Sequence, residues 1–465
     1  MTSSSLPRGP KGHPLLGNAL SLSRGALEFL RACAGEYGDL VPLRFLGKRI
    51  LLVNHPDDIA QVLATNHRKV VKGITRRSDH ILLGDGISLS EGDVWRRERR
   101  LMQPAFHRER IAAYGEVMVA STERMIETWR DGETRDMCVD LSELTMAVVG
   151  QTLLDINLRG EAAELPAALA SAMACRAARA RSLHMLLPVS LPTPTNLRMR
   201  RARRRIDDIV QRILEERRDA GDDRGDLLSM LLRAQDEDGR GVTARQVKDE
   251  VMAIFVGGHE TVANLLAWAW YLLSQHPEVE TRLLAELDTV LGGRLPTVSD
   301  LPRLPYTSTI VSEVLRLYPP ASVLTREAIA DVRIGAYTVA RGTEIVVSPW
   351  VMHRDPRYFA DPEVFKPDRW ADGLASRLPR YAYFPFGGGP RLCIGKSFAT
   401  MEAILVLAVV AQRFRLELLR GQRVVAEELP TLHPKFGLRM VVQPRQRGEA
   451  RRSSSEMVAS ERADR

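Results

Sequence analysis

The sequence predicts a mainly α-helical fold with small β-sheets, built as one large domain. Three observations lead there. Helical patterns dominate from about Asp93 to Arg218 and again from Thr243 to Gln275. Strand-like segments are short and confined to the N-terminal and C-terminal parts. Neither a repeat nor a linker composition interrupts residues 1–440. The 465 residues, 45% hydrophobic and 27% charged, are enough for a sizeable buried core.

The elements follow in order. "LVPLRFLGKRILLVN" alternates apolar and polar residues on both sides of Gly47 and predicts a β-hairpin. "HPDDIAQVLATN" predicts a short helix with Pro56 and Asp57 near its start. The helical region beyond Asp93 breaks near Gly132, near Gly160 and at "PVSLPTPTN". "RGDLLSMLLRAQDEDGRG" is another short helix with its exit loop. Thr243 and Gln246 form a capping-box signature that opens the longest helix. Helices are expected before Leu291 and at "YTSTIVSEVLRLYPP". "DVRIGAYTVARGTEIVVSP" reads as short strands with turns at Gly335 and Gly342. A long helix runs from Cys393 to about Phe414, and "GLRMVVQP" closes the fold as a strand. The domain is expected to span 1–442. The tail, 443–465, lacks apolar periodicity and is expected to be disordered.

Composition excludes several classes. The N-terminal stretch has no apolar run long enough for a signal peptide or a membrane span, so a soluble cytoplasmic protein is expected. Cys33, Cys138, Cys175 and Cys393 make no C-x-x-C pair, which argues against zinc, thioredoxin-like chemistry or a disulfide scaffold. The first three lie in helical segments and read as buried free thiols. The net charge of +8 is modest, and its densest runs are "WRRERR" and "RMRRARRR". The second reads as a solvated helix face. Neither run is interleaved with aromatics in a nucleic-acid motif.

The chemistry concentrates in "YFPFGGGPRLCIGKSFA". Cys393 opens a long apolar helix, whose unpaired N–H groups favour an anion. Gly387, Gly388 and Gly389 permit backbone angles closed to other residues, Gly395 lets something flat approach, and Arg391 adds a cation. From the residues alone three readings stand: a glycine-rich turn with a buried thiol, a cysteine nucleophile whose histidine base is not identified, or a thiolate ligand to haem iron with Arg391 on a propionate.

"FGGGPRLCIG" resembles the haem-binding loop of the cytochrome P450 family, F-x-x-G-x-R-x-C-x-G, through Phe386, Gly389, Arg391, Cys393 and Gly395. Other segments resemble the same family. "AIFVGGHETVANLL" matches its A/G-G-x-D/E-T-T/S pattern with Gly257, Gly258, Glu260 and Thr261, while Val262 replaces the second hydroxyl and His259 reads as structural. Glu313 and Arg316 with Arg369 match its E-x-x-R and downstream arginine. Trp95 and Arg99 match its W-x-x-x-R, and Arg326 aligns with a further propionate-binding arginine. The likeness covers roughly residues 6–440.

The resemblance implies one triangular α-rich domain holding haem b between the long central helix and the cysteine-loop helix. Cys393 is then the iron ligand, and Trp95, Arg99, Arg326, Phe386, Arg391 and Gly395 complete the haem site. Gly257 and Gly258 let the central helix bulge, and Glu260 and Thr261 deliver protons. Glu313, Arg316 and Arg369 form a structural network. Pocket segments are implied at 72–89, about 183–199, 253–257, 321–325 and near Phe436, with Ala253, Val256, Gly257, Val323 and Phe436 as lining residues. The implied activity is a soluble, monomeric haem-thiolate monooxygenase of secondary metabolism, inserting one atom of O2 into an apolar small molecule by hydroxylation or epoxidation. A terpenoid is the first choice of substrate, a fatty acid or polyketide the next. Electrons originate from NAD(P)H and arrive through a ferredoxin, or a flavodoxin, with its reductase. Arg96, Arg97 and Arg100 are expected to face that partner in part. A peroxide-driven or isomerising enzyme and a non-catalytic haem sensor are the alternatives, and both are disfavoured by the Glu260–Thr261 pair.

Overall fold

A computed structural model describes residues 7–73, 75–156, 158, 162–180, 191–220, 226–234 and 242–445. Its helices are α1 (Ala19–Tyr37), α2 (Pro56–Ala60), α3 (Thr75–Leu83), α4 (Gly92–Met102), α5 (Arg108–Ile126), α6 (Met137–Leu153), α7 (Leu165–Ala180), α8 (Pro194–Ala220), α9 (Leu227–Arg233), α10 (Ala244–Gln275), α11 (Pro277–Leu291), α12 (Pro305–Leu317), α13 (Pro349–Met352), α14 (Leu374–Arg377) and α15 (Lys396–Arg413). The strands are β1 (Leu40–Phe45), β2 (Lys48–Val53), β3 (Val70–Lys72), β4 (Thr134–Asp136), β5 (Leu324–Ala328), β6 (Val332–Ile334), β7 (Tyr337–Val339), β8 (Glu344–Val347), β9 (Phe414–Leu418), β10 (Ala426–Glu428), β11 (Leu432–Pro434) and β12 (Arg439–Pro444). The expected disordered tail therefore begins inside the last strand, and 446–465 lie outside the described residues, as does the break near Gly160.

The longest helix, α10, starts where its capping box places it: the Gln246 N–H donates to Thr243 Oγ1 at 3.2 Å, and the Thr243 N–H to Gln246 Oε1 at 3.0 Å. It is apolar enough to resemble a membrane span, but 78% of its most apolar stretch is buried in protein. Leu265, Leu266, Trp268 and Trp270 close its C-terminal half into the main core with α6, α12 and α15. Removing such surfaces from water, at about 25 cal/mol per Å², stabilises the helix bundle.

The β-rich side is a five-stranded sheet in the order β1-β2-β8-β5-β3. The β1–β2 hairpin pairs Leu40 with Val53 through Phe45 with Lys48, its turn made by Leu46 and Gly47 at positive φ. Strand β5 pairs with β3 in a register that sets Arg326 directly opposite Lys72. Strand β4 breaks the expected helical run and pairs with β12.

Glu313 and Arg316 on α12 are fully buried. Arg316 makes a two-bond pair with Glu313, both at 2.9 Å, and its remaining protons reach the carbonyls of His353, Pro362 and Val364. Arg369 Nε at 2.9 Å, the Lys366 N–H at 3.0 Å and Trp370 Nε1 at 2.8 Å complete the donors to Glu313 among the described residues. The network continues toward the cysteine loop. The Trp370 ring packs on Tyr383, Tyr383 donates to the Ser312 carbonyl, and His353 Nε2 accepts the Phe384 N–H at 2.9 Å. Burial beside Arg316 pushes His353 down to about 3, which keeps it a neutral acceptor. Replacing Glu313 by Ala is expected to leave two guanidinium groups without their shared anion, costing roughly 3–5 kcal/mol. The variant should give little soluble, haem-loaded protein. Wild-type melting temperature and haem content in Glu313→Ala would count against this role.

Candidate functional site

The cysteine loop is held by glycine geometry. Gly387 and Gly389 take φ of 73° and 65°. A Cβ on Gly389 would lie 2.0 Å from the Leu63 carbonyl oxygen, and one on Gly388 would lie 2.2 Å from the Tyr381 ring. The loop therefore seats against the π-turn Gln61–Thr65 that follows α2. Cys393 does not open a helix. It lies two residues before Gly395, the N-cap of α15, because its own N–H donates back to the Phe386 carbonyl at 3.1 Å. Its side chain is exposed, and Gly395 leaves the adjoining space open, the nearest heavy atom to a Cβ there being 3.9 Å away. The exposed face of Cys393 looks onto open space walled by protein, and this low-dielectric surround raises the thiol pKa; the Gly395 N–H, Arg99 and Lys72 oppose this.

Cations crowd this loop. Arg391 pairs with Glu91, donates to the Ser90 carbonyl at 2.6 Å and lies over the Trp95 ring, 4.4 Å from its centre. Arg99 donates to the Leu392 carbonyl at 2.8 Å. Arg326 is buried and donates to the Thr325 carbonyl at 2.8 Å. Lys72, cross-strand from Arg326, was legible in the sequence only as the edge of a pocket segment. Like charges directly opposite on neighbouring strands destabilise a sheet. Burial, then Arg326 and Arg391, push Lys72 down to about 7; burial and Arg391 push Arg326 down to about 10. Glu91 pairs with Arg391 and accepts the Lys72 backbone N–H, and the cations of this group outnumber the acids named beside them. The arrangement fits an anionic group with more than one negative charge, and a flat one, given the open face at Gly395. A haem with its propionates toward Lys72, Arg99, Arg326 and Arg391 and its iron toward Cys393 meets both conditions.

The opposite wall is α10. Ala253, Gly257 and Thr261 recur every four residues on one stripe. Gly257 is exposed within an otherwise buried stretch, and a Cβ there would meet nothing within 4 Å. Ala253 and Val256 are buried, and Val323 is half-buried before β5. The expected bulge at Gly257–Gly258 is absent. The helix continues through it, and Thr261 Oγ1 donates to the Gly257 carbonyl at 2.8 Å, so the room comes from missing side chains. His259 is structural: its Nδ1 lies 2.6 Å from the Phe255 carbonyl and its own carbonyl accepts from Thr145.

Glu260 turns toward the β10–β11 tip. Thr431 Oγ1 donates to its Oε1 at 2.7 Å while accepting from Asn264 at 2.9 Å. Its buried Oε2 has no hydrogen bond among the described residues and lies 4.0 Å from Arg176, which is itself bonded twice to Asp79 of α3. Thr431 and Asn264 were missed in the sequence; the signal was a polar pair at i, i+4 in an apolar helix. Phe436 is a correction. It is 54% exposed, packs under Lys435 and follows β11, at the opposite end of the hairpin from the tip that meets α10. The hairpin turns between β10 and β11, so Thr431, and not Phe436, meets Glu260 and Asn264 of α10. Of the α4 arginines, Arg96 and Arg100 are exposed, but Arg97 is half-buried and lines a cavity. "RMRRARRR" is not wholly solvated either: Arg203 pairs with Asp207 at 2.7 Å and Asp249 at 2.6 Å. Residues 183–190 of the implied pocket lie outside the described residues.

The cytochrome P450 family model matches residues 7–442. Cyclooctat-9-en-7-ol 5-monooxygenase of Streptomyces melanosporofaciens is 40% identical over 89% of this chain and 90% of its own length. Pentalenene oxygenase of Streptomyces avermitilis is 36% identical over 95% of this chain and 98% of its own. Among solved structures, retinoic acid bound cyanobacterial CYP120A1 superposes with a TM-score of 0.85 at 26% identity, covering 95% of this chain and all of that one.

If Lys72 serves a propionate, Lys72→Ala should release haem faster. A charge-assisted hydrogen bond of about 1.5–3 kcal/mol corresponds to roughly tenfold or more. Haem transfer to apomyoglobin measures it, and an unchanged rate would remove Lys72 from the haem site.

Proposed function

Because this chain belongs to the cytochrome P450 family, we propose that it is a terpenoid monooxygenase that hydroxylates one position of an apolar polycyclic substrate. The observation that carries the reading is the cation cluster around an exposed Cys393, facing an α10 stripe from which side chains are missing. The substrate class is supported by the names of the relatives, whose cyclooctat-9-en-7-ol and pentalenene are terpenoid skeletons. It is also supported by the apolar character of the stripe before Gly257. When haem is bound it supplies activation of O2 with electrons from partner proteins.

The chain's own residues do the rest. Cys393 would ligate the iron as thiolate. Lys72, Arg99, Arg326 and Arg391 would hold the propionates, with Trp95 beneath Arg391. Thr261, donating to the Gly257 carbonyl, keeps its oxygen lone pairs toward the cleft to accept a hydrogen bond. Glu260 holds one oxygen on Thr431 and keeps the other without a hydrogen bond among the described residues, which suits it to take up and pass on a proton. The exposed Arg96 and Arg100 beside Arg99 favour an acidic ferredoxin as electron donor. A cytoplasmic enzyme is consistent with an α10 that is a core helix.

The test is turnover of haem-loaded protein with a ferredoxin, its reductase, NAD(P)H and isotopically labelled O2 against cyclic terpenoids and fatty acids. A single labelled hydroxylated terpenoid is expected. Product from fatty acids alone would overturn the substrate assignment. Cys393→Ser should lose the red-shifted Soret band of the ferrous–CO complex, and retention of that band would exclude Cys393 as ligand. Thr261→Ala should still consume NAD(P)H while product per NAD(P)H falls by about tenfold or more, the difference appearing as hydrogen peroxide. Coupling at the wild-type level would assign proton delivery to another group.

A further inference from the structure

The loop that leads from α3 to α4 is held against α10 by acids. The Asp85 N–H donates to Asp249 Oδ2 at 3.1 Å, and the Ile87 N–H to Glu250 Oε2 at 3.0 Å. Arg203 of α8 donates to Asp249 Oδ1 at 2.6 Å and to the Leu82 carbonyl. Ser90 Oγ donates to Glu98 of α4, and the Ser90 carbonyl accepts from Arg391. The fit is close. A Cβ on Gly86 would lie 2.5 Å from the Asp249 carbonyl oxygen and 3.2 Å from the Ala253 Cβ. Ala253 stands one turn before Gly257, so this loop forms the wall of the cleft there.

Glu98 and Glu250 are buried, 7% and 1% exposed, and line one cavity, with the Ser90 hydroxyl on the first and the Ile87 N–H on the second. Two buried carboxylates on one small cavity oppose each other's ionisation. Burial, then the Glu98 charge, push Glu250 up to about 9, and burial also raises Glu98. The charged groups that face the pair include Asp249 on α10, Asp85 on the loop, Arg391 from the cysteine loop, and Asp93 and Arg97 on α4. Asp93 and Arg97 join Glu98, Gln246 and Glu250 around a cavity of about 230 Å³. Asp93 and Val94 are exposed, so the cavity reaches the surface and gives water a route to the pair.

We propose that Glu250 and Glu98, sharing one proton, are positioning residues that hold the 84–89 wall against α10 and set how tightly an apolar ligand fits over Gly257. The proposal rests on that cleft being the substrate site. An acid freed by opening of the loop titrates near its ordinary value of about 4.3, whereas the closed pair keeps its proton to about 9. Closure is therefore strongest at low pH, weakens as pH rises toward 9, and is level above it.

The test is spectral titration of haem-loaded protein with 4-phenylimidazole, whose ring must fit against the wall, and with imidazole, which is too small to reach it. Between about pH 7 and 9 the wild-type affinity for 4-phenylimidazole should fall about threefold or more, while that for imidazole holds. Glu250→Gln keeps the acceptor for Ile87 and cannot ionise, so its profile should be flat, at or above the wild-type affinity of pH 7. Glu250→Ala should bind 4-phenylimidazole about fivefold more weakly and exchange the Ile87 amide hydrogen faster. A wild-type pH slope in Glu250→Gln, or slow exchange at Ile87 in Glu250→Ala, would overturn the proposal. If Glu250→Ala does not fold, Glu98→Gln is the second variant: a slope displaced from its wild-type pH range supports the shared proton and an unchanged slope refutes it. If neither imidazole shifted the spectrum the haem site itself would be wrong, and exchange at Ile87 would still decide the loop.

Discussion

The buried carboxylate of Glu313 is the constraint on which the rest depends. It is an anion with no water, so every lone pair must be matched by protein donors, and they come from both its own helix and the 366–370 segment. Satisfying it fixes where the chain returns after α13. From there Trp370, Tyr383 and His353 transmit position to Phe384, at the entrance of the cysteine loop. The loop is thus not free to choose its own place. A reactive sulfur that must present one atom to a metal needs that kind of external support, because glycines supply permissive angles but no rigidity.

The site itself reverses the usual economy of charge. Elsewhere in the molecule cations find acids, as Arg135 finds Asp140 and Arg217 finds Asp226. Around Cys393 they face one another, Lys72 against Arg326 across a strand pair, with Glu91 as the shared acid. An anion bound among these cations would relieve that repulsion, and would thereby add to the stability of the sheet.

Local signals were legible in the sequence and relational ones were not. The capping box at Thr243 and Gln246, the turn at Gly47 and the cysteine-loop glycines each act over a few residues, and each element stands where the residues place it. The Glu313 network was legible only through family likeness, since i, i+3 spacing is common on any helix. Strands β3 and β5 lack alternation and exist because they pair, which is why Lys72 stayed hidden. Arg203 looked like one of a solvated run, yet its position on the inner face of α8 commits it to Asp249. Phe436 was misplaced because the turn of a hairpin, and not the nearest aromatic, decides which residue reaches the cleft. The expected bulge in α10 failed for a related reason: a glycine pair allows distortion, while the Thr261 hydroxyl closing on the Gly257 carbonyl accommodates the regular helix.

The seat of Gly389 on the Leu63 carbonyl joins residues that are more than three hundred positions apart in the chain. Contacts of such long sequence separation form late, because the entropy of closing so large a loop comes before any reward. During synthesis the first sheet strands emerge long before the cysteine loop, and the π-turn must wait with its carbonyl edge uncovered. The helical core can condense in that interval, since α6 and α10 lie much closer in sequence. Cofactor capture then belongs to the final stage of folding, when the last quarter of the chain has left the ribosome and closes over a body that is already largely built.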